Sequence, residues 1–267
     1  MKFLENKMPY TSFKKWNSYG FIAATLMLPV LSQPAAAQSN DPLSNRIEKI
    51  RAKHPELIAQ FGGFIASEGR AQVINAASLR GNGYTVNNTT KGNALFGVGY
   101  YLDGMVRECV DVKFGLDWLY MRSTSVAGFI NQEQLFQNLS YRYNIRNMPL
   151  YLAAKAKYKE SKDRFDWIFD IGAGPNFIRT SGYNESSLTD FTIPNNNTFT
   201  AHNNVAFTAM AGVGIRTHNV FGKIPLECGY RFMYLGSGQL QNNNNQVSNT
   251  LSTGHGYANS VVCGVVL

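Results

Sequence analysis

The sequence predicts an all-β fold: an eight-stranded antiparallel transmembrane β-barrel with short periplasmic turns and long extracellular loops. Three observations predict it. Apolar and polar residues alternate with a period of two in eight separate stretches. The linkers between those stretches are alternately short and long. The chain also opens on a basic, then apolar, then small-residue segment that reads as an export signal.

Residues 1–37 are that signal. Lys2, Lys7, Lys14 and Lys15 give the basic region, Phe21 to Leu31 the apolar one, and Ala35, Ala36 and Ala37 the cleavage site before Gln38. Beyond this segment no run is long and apolar enough for a helical membrane span. Residues 38–60 are expected to form a periplasmic arm. Its short helix covers 41–53, with Asp41 as cap, Pro42 at the first helical position and Leu43, Ile47 and Ile50 at helical spacing. His54 and Pro55 end it.

The barrel is expected over 61–267. Strand five, Phe165 to Phe177, shows the pattern best. Phe165, Trp167, Phe169, Ile171, Ala173, Pro175 and Phe177 share one face, and Asp166, Ile168, Asp170, Gly172, Gly174 and Asn176 the other. Strand one is read as 61–73, strand two as 93–102, strand three as 110–120 and strand four as ending in 150–158 after a start near Leu135. Pro149 predicts an irregularity in that long strand. Strands six, seven and eight are read as 205–216, 226–234 and 257–267. A soluble barrel puts its apolar residues inside. Here one face holds nearly all the charges and the other most of the aromatics, so the apolar face meets lipid. Linkers at 76–92, 184–203 and 240–255 are long, the connection at 122–133 is intermediate, and those after Asp103, at 160–164 and at 220–224 are short.

The inward face carries six acids and six bases. They are Glu68, Arg70, Asp111, Lys113, Asp117, Lys155, Lys157, Asp166, Asp170, Arg216, Glu227 and Arg231. Inside a barrel this narrow, side chains fill the lumen, and the charges are expected to form one paired network. The turns predict Lys157 near Asp166, Lys155 diagonal to Asp170, and Arg216 opposite Glu227.

Other constellations are weak. Gly172-Ala173-Gly174 and Gly212-Val213-Gly214 do not complete a phosphate-binding glycine motif, because Phe177 and Thr217 occupy the third position. They read as space for inward side chains. His54, His202, His218 and His255 show no metal spacing, so no metal or cofactor is expected. The cysteines Cys109, Cys228 and Cys263 are odd in number and read as small packed side chains. Cys228 and Cys263 fall on the lipid face near the periplasmic end of adjacent strands, which leaves a bridge open. Removing 1–37 takes four of 25 basic and one of 17 acidic residues, leaving 21 against 16. Export and the lack of an aromatic-interleaved basic cluster argue against nucleic acid.

Strand five's Asp170-Ile171-Gly172-Ala173-Gly174-Pro175-Asn176-Phe177, strand seven's Gly229 to Tyr234 and a strand that ends the chain resemble the small outer-membrane β-barrel proteins of the OmpA/OmpX and opacity-protein type. Leu267 departs from the Phe that usually ends such barrels. The resemblance implies a bacterial outer-membrane location, with lipid, lipopolysaccharide and the barrel assembly machinery as partners. It also implies a non-enzymatic surface protein with a structural or adhesive role. Its polar loops, such as Asn195 to Asn197 and Asn242 to Asn245, would meet a host or cell-surface molecule. A narrow pore is the alternative. A lipid A-modifying enzyme using His255 with Ser252 or Ser260 is a further one.

Overall fold

The computed structural model describes residues 55–75, 81–87, 90–107, 109–159, 165–190, 194, 198–221, 224–243 and 247–267. The expected signal and the helix at 41–53 lie outside them. The strands are β1 (Glu56–Ser67), β2 (Gln72–Ile74), β3 (Asn82–Tyr84), β4 (Thr90–Val106), β5 (Val110–Met121), β6 (Thr124–Gln132) and β7 (Phe136–Tyr158). They continue as β8 (Phe165–Ser187), β9 (Phe199–Thr200), β10 (His202–Phe221), β11 (Ile224–Gln239), β12 (Gln241–Asn242) and β13 (Ser252–Val266).

Eight of these close a ring. β1 pairs with β4, β4 with β5, β5 with β7, β7 with β8, β8 with β10, β10 with β11, β11 with β13, and β13 returns to β1, every pair antiparallel. The closing seam runs from Ile58↔Val266 to Ser67↔Tyr257, and Leu267 N–H donates to Leu57 O at 2.8 Å. Closure matters because an open sheet edge carries unpaired backbone groups that hydrocarbon cannot satisfy.

The outer surface explains what the ring is for. On β8 the outward side chains from Trp167 to Phe177 are apolar, and the next outward residue is Arg179. On β7 the outward residues from Tyr158 to Met148 are apolar, and Arg146 follows. Each stretch covers about 11 residues, the length of a tilted strand crossing a bilayer. Leu152, Phe207 and Val205 are more than half exposed, as water would not favour. This belt is a lipid-facing surface, so the ring is a transmembrane β-barrel. The strand ends that short linkers join (β4 to β5, β7 to β8 and β10 to β11) lie at one end, and β2, β3, β6, β9 and β12 lie at the other.

Several boundaries differ from the sequence reading. β1 starts at Glu56 and not at 61, so residues 56–60 belong to the barrel and not to an arm. It ends at Ser67, where Gly69 takes a positive φ of 101° and breaks the strand before β2. The connection read as 122–133 contains β6, which pairs with the upper half of β7. Pro149 does disturb pairing with its β5–β6 neighbour. Between Trp118↔Leu150 and Thr124↔Ile145 one chain advances six residues and the other five. On its β8 side the register holds, from Pro149↔Asn176 to Leu152↔Ala173.

Candidate functional site: the filled lumen

Within the belt every second residue points inward, so polar side chains meet inside the barrel among buried Ile58, Leu119, Met210 and Met233. Arg231 on β11 sits at mid-height. Its Nε donates to Asp170 on β8 at 2.7 Å and its Nη1 lies 3.3 Å from Asp117 on β5. Gln60 on β1 accepts from Arg231 at 2.6 Å and donates to Asp117 at 2.7 Å, and Tyr101 donates to Asp117 at 3.0 Å. Asp117 is 0% exposed. A single guanidinium thus serves two carboxylates, and its fork geometry allows it.

A second cluster lies toward the short-turn end. Arg216 bridges Glu56 (3.0 Å) and its cross-strand neighbour Glu227, to which Nε donates at 2.7 Å. Lys155 reaches Glu227 at 2.5 Å. Lys113 holds Glu56 at 2.7 Å and Asp103 at 2.8 Å. At the rim Asp111 meets Lys157 at 3.3 Å and Lys159 at 2.6 Å, and Asp166 meets His218 at 2.8 Å. Above Arg231, Tyr151 and Thr208 share a 3.1 Å hydrogen bond, and Asn176 donates to Asn147 and to Leu235 O.

Of the twelve residues read from sequence, eleven face the lumen. Arg70 does not: it is exposed beyond β1, where the break at Gly69 ends the alternation. Arg216–Glu227 pairs as expected. Two other expected pairs do not form. Lys157 lies opposite Ile168 and takes Asp111 instead, leaving Asp166 to His218. Lys155 lies directly opposite Asp170, yet its long stem crosses the lumen to Glu227 while Arg231 takes Asp170. Glu68 faces inward with no cation. It accepts from Thr124 at 2.5 Å and Asn147 at 2.8 Å, and burial raises its pKa. Glu56, Gln60, Asp103 and His218 were missed. The first two fell in the supposed arm, and the others lie at strand ends where period-two reading stops.

The long-loop end is closed differently. Tyr84, Tyr141, Tyr143, Tyr183 and Phe199 pack with Ile130, Leu139, Ile145 and Leu251 into a buried apolar cluster inside the upper wall. Burial pushes the Tyr84, Tyr141 and Tyr183 hydroxyls up, so all three remain protonated donors.

The remaining motifs take structural places. A Cβ on Gly212 would strike the Asp170 carboxylate and Arg231 Cγ, so the glycine is room for that pair. His255 is exposed, its Nδ1 2.8 Å from Tyr234 Oη, while Ser260 is buried and bonded to Arg231 O, so the two sit on opposite faces of β13. Ser252 turns to Ser237 and Gly238. No hydrolytic constellation forms from them. Among the described residues no cluster of His, Cys, Asp and Glu could hold a metal. Cys228 and Cys263 are register partners and form a disulfide, with Cα atoms 4.1 Å apart, and Cys109 is an exposed thiol in a short turn. The reading of all three as packed small side chains is therefore corrected.

No protein-family model and no curated protein matches the chain. Three solved structures similar to it are Neisserial surface protein A, OprG from Pseudomonas aeruginosa and the outer membrane protease OmpT from Escherichia coli. The first is 12% identical over 79% of this chain and 96% of that one, with a TM-score of 0.34. The second is 9% identical over 80% and 97%, with a TM-score of 0.46. The third is 10% identical over 80% and 95%, with a TM-score of 0.40. From its own hydrogen-bonded ring and lipid-facing belt, the chain is an eight-stranded transmembrane β-barrel, similar to small outer-membrane barrel proteins.

Proposed function

We propose that this barrel resides in a bacterial outer membrane and acts as a non-enzymatic surface protein, working through its long-loop end and not through its lumen. One observation carries the reading: the lumen is filled. Asp117, Tyr101, Tyr151, Thr208 and Asn176, all inward, are each 0% exposed, whereas the walls of a water-filled pore are wet. The same strands rise well past the apolar belt. β7 has 23 residues, and at roughly 3.3 Å per residue it outruns a hydrocarbon core of about 30 Å. Its upper half pairs with β6 and β8 into a stiff wall ending at exposed Leu135 and Phe136. A rigid wall with an apolar tip suits contact with another molecule better than transport.

Refolded wild-type protein in planar bilayers should give no steady current, and replacing the β6–β7 tip (133–136) with Gly-Ser should reduce attachment of expressing cells to host-cell or bacterial surfaces. Large steady currents would promote the narrow-pore reading. A changed lipid A mass on expression would promote an enzyme.

A further inference from the structure

The edge of the belt at the long-loop end carries an unusual row of charge. Arg146 on β7 and Arg179 on β8 are register partners and both point outward. Arg122 continues the row beyond β5, exposed, its N–H bonded to Ala94 O. Like charges placed directly opposite on one sheet face destabilise it. None of the three arginines joins an ion pair among the described residues, whose salt bridges all lie inside the barrel or at its opposite rim. Arg146 is also held in place: its guanidinium lies 5.7 Å from the Tyr120 ring centre, and Nε donates to Ser123 Oγ at 3.3 Å.

Directly below the row the surface turns apolar. Met148, Phe177 and Val205 line one shallow hollow with Arg179, Asn203 and Asn204. Asn203 lies opposite Arg179 and extends the polar row to a fourth strand. The hollow therefore presents cations and amides above hydrocarbon, in the order that a phosphorylated lipid presents phosphate above acyl chains. Two interstrand spacings make the arginine row roughly 10 Å wide. One phosphate would occupy a single arginine pair, and a headgroup with two phosphates would reach across all three strands.

We propose that Arg122, Arg146 and Arg179 form a binding site for the phosphorylated glycolipid of the outer leaflet, with its acyl chains over Met148, Phe177 and Val205. The phosphates supply the counter-charge that the protein withholds, through charge-assisted and bidentate bonds. The site rests on the outer-membrane orientation proposed above, but its chemistry is measured on purified protein, so the two stand or fall separately.

The test is native mass spectrometry of the refolded full chain in zwitterionic detergent, titrated with diphosphoryl lipid A. Phosphatidylcholine and inorganic phosphate are the comparison arms. Wild type should retain one lipid A at concentrations where phosphatidylcholine is lost. The double variant Arg146→Ala/Arg179→Ala should weaken retention about tenfold or more, a loss of the order of one charge-assisted contact. Arg146→Lys/Arg179→Lys should keep most of it. Arg179→Glu gives Arg146 a cross-strand partner, so it should hold or raise thermal stability while losing the lipid, which a merely structural row would not do. Equal retention by wild type and Arg179→Glu overturns the site. Equal retention of phosphatidylcholine also overturns it, and so does displacement of lipid A by an equal concentration of inorganic phosphate. Cell fractionation placing the protein outside the outer membrane would instead sink the orientation and leave the measured binding intact.

Discussion

The two halves of β7 are one continuous strand with opposite logic. From Tyr158 to Met148 the apolar residues point out and Lys157 and Lys155 point in. From Arg146 to Ser140 the outward residues are Arg146, Asn144, Arg142 and Ser140, and the inward ones are Ile145, Tyr143, Tyr141 and Leu139. The pleat never changes, and only the solvent outside does. In the lower half lipid covers the outside, so apolar groups gain little by turning in, and the charges that share the lumen with Leu119, Met210, Met233 and Val262 must satisfy one another. In the upper half water covers the outside, and ordinary burial drives tyrosine and aliphatic side chains inward. The barrel is therefore closed twice, by ion pairs set among buried apolar side chains within the membrane and by an aromatic core above it.

Breaking the lower closure should have the largest effect. Arg231→Ala leaves Asp117 and Asp170 buried without a cation and should cost about 3–5 kcal/mol, read by chemical unfolding in lipid vesicles. Arg216→Ala should cost less, because Lys155 still holds Glu227 and Lys113 still holds Glu56. Equal losses would mean that the two clusters act as one.

The inversion along β7 can be read with one residue type placed twice. Arg in place of Leu152, which is 71% exposed in the belt, should cost about 2–4 kcal/mol if it lies near the bilayer midplane. Arg in place of Ser140, outward in the upper half, should change stability by no more than about 0.5 kcal/mol. Similar costs at the two sites would place the membrane edge wrongly.

The smallest effect sharpens the border between the halves, where Glu68 sits. Its folded pKa is raised, so folding favours the protonated acid. The stability it contributes is complete below the ordinary carboxylate pKa and is lost as pH rises through the raised value. Glu68→Gln should therefore flatten the pH dependence above the ordinary carboxylate range and stabilise the barrel at neutral pH. A variant with an unchanged slope would show that Thr124 and Asn147 suffice to keep the carboxylate charged.

The same contrast explains what the sequence made legible. The eight crossings could be read because lipid enforces a strict outward pattern, as in Phe96, Val98, Tyr100 and Leu102 on β4. Strand ends were lost where that pattern inverts. Strand five seemed to stop at Phe177, yet β8 runs on to Ser187 with Ile178 and Thr180 inward. β6 passed for a loop because its apolar face, with Val126 and Ile130, looks inward in the way of a soluble sheet. The charges in the lumen were legible as a set, since all but Arg70 sit on the predicted face. Their partners were not, because Lys155 and Arg231 reach across the lumen and no register rule limits a stem of that length.

The seam has a consequence in time. Seven of the eight barrel pairings join strands that follow one another around the ring in chain order. The eighth sets Ile58 against Val266, 208 residues further along (266 less 58). Until β1 arrives, β13 has one satisfied edge, toward β11, where Cys228 and Cys263 are joined, and one bare edge. Non-local pairings of this kind form late, and bare edges recruit other strands. The chain must therefore be shielded until its first strand meets its last. A nascent molecule that stalls before that moment is an incomplete sheet ready to join its neighbours.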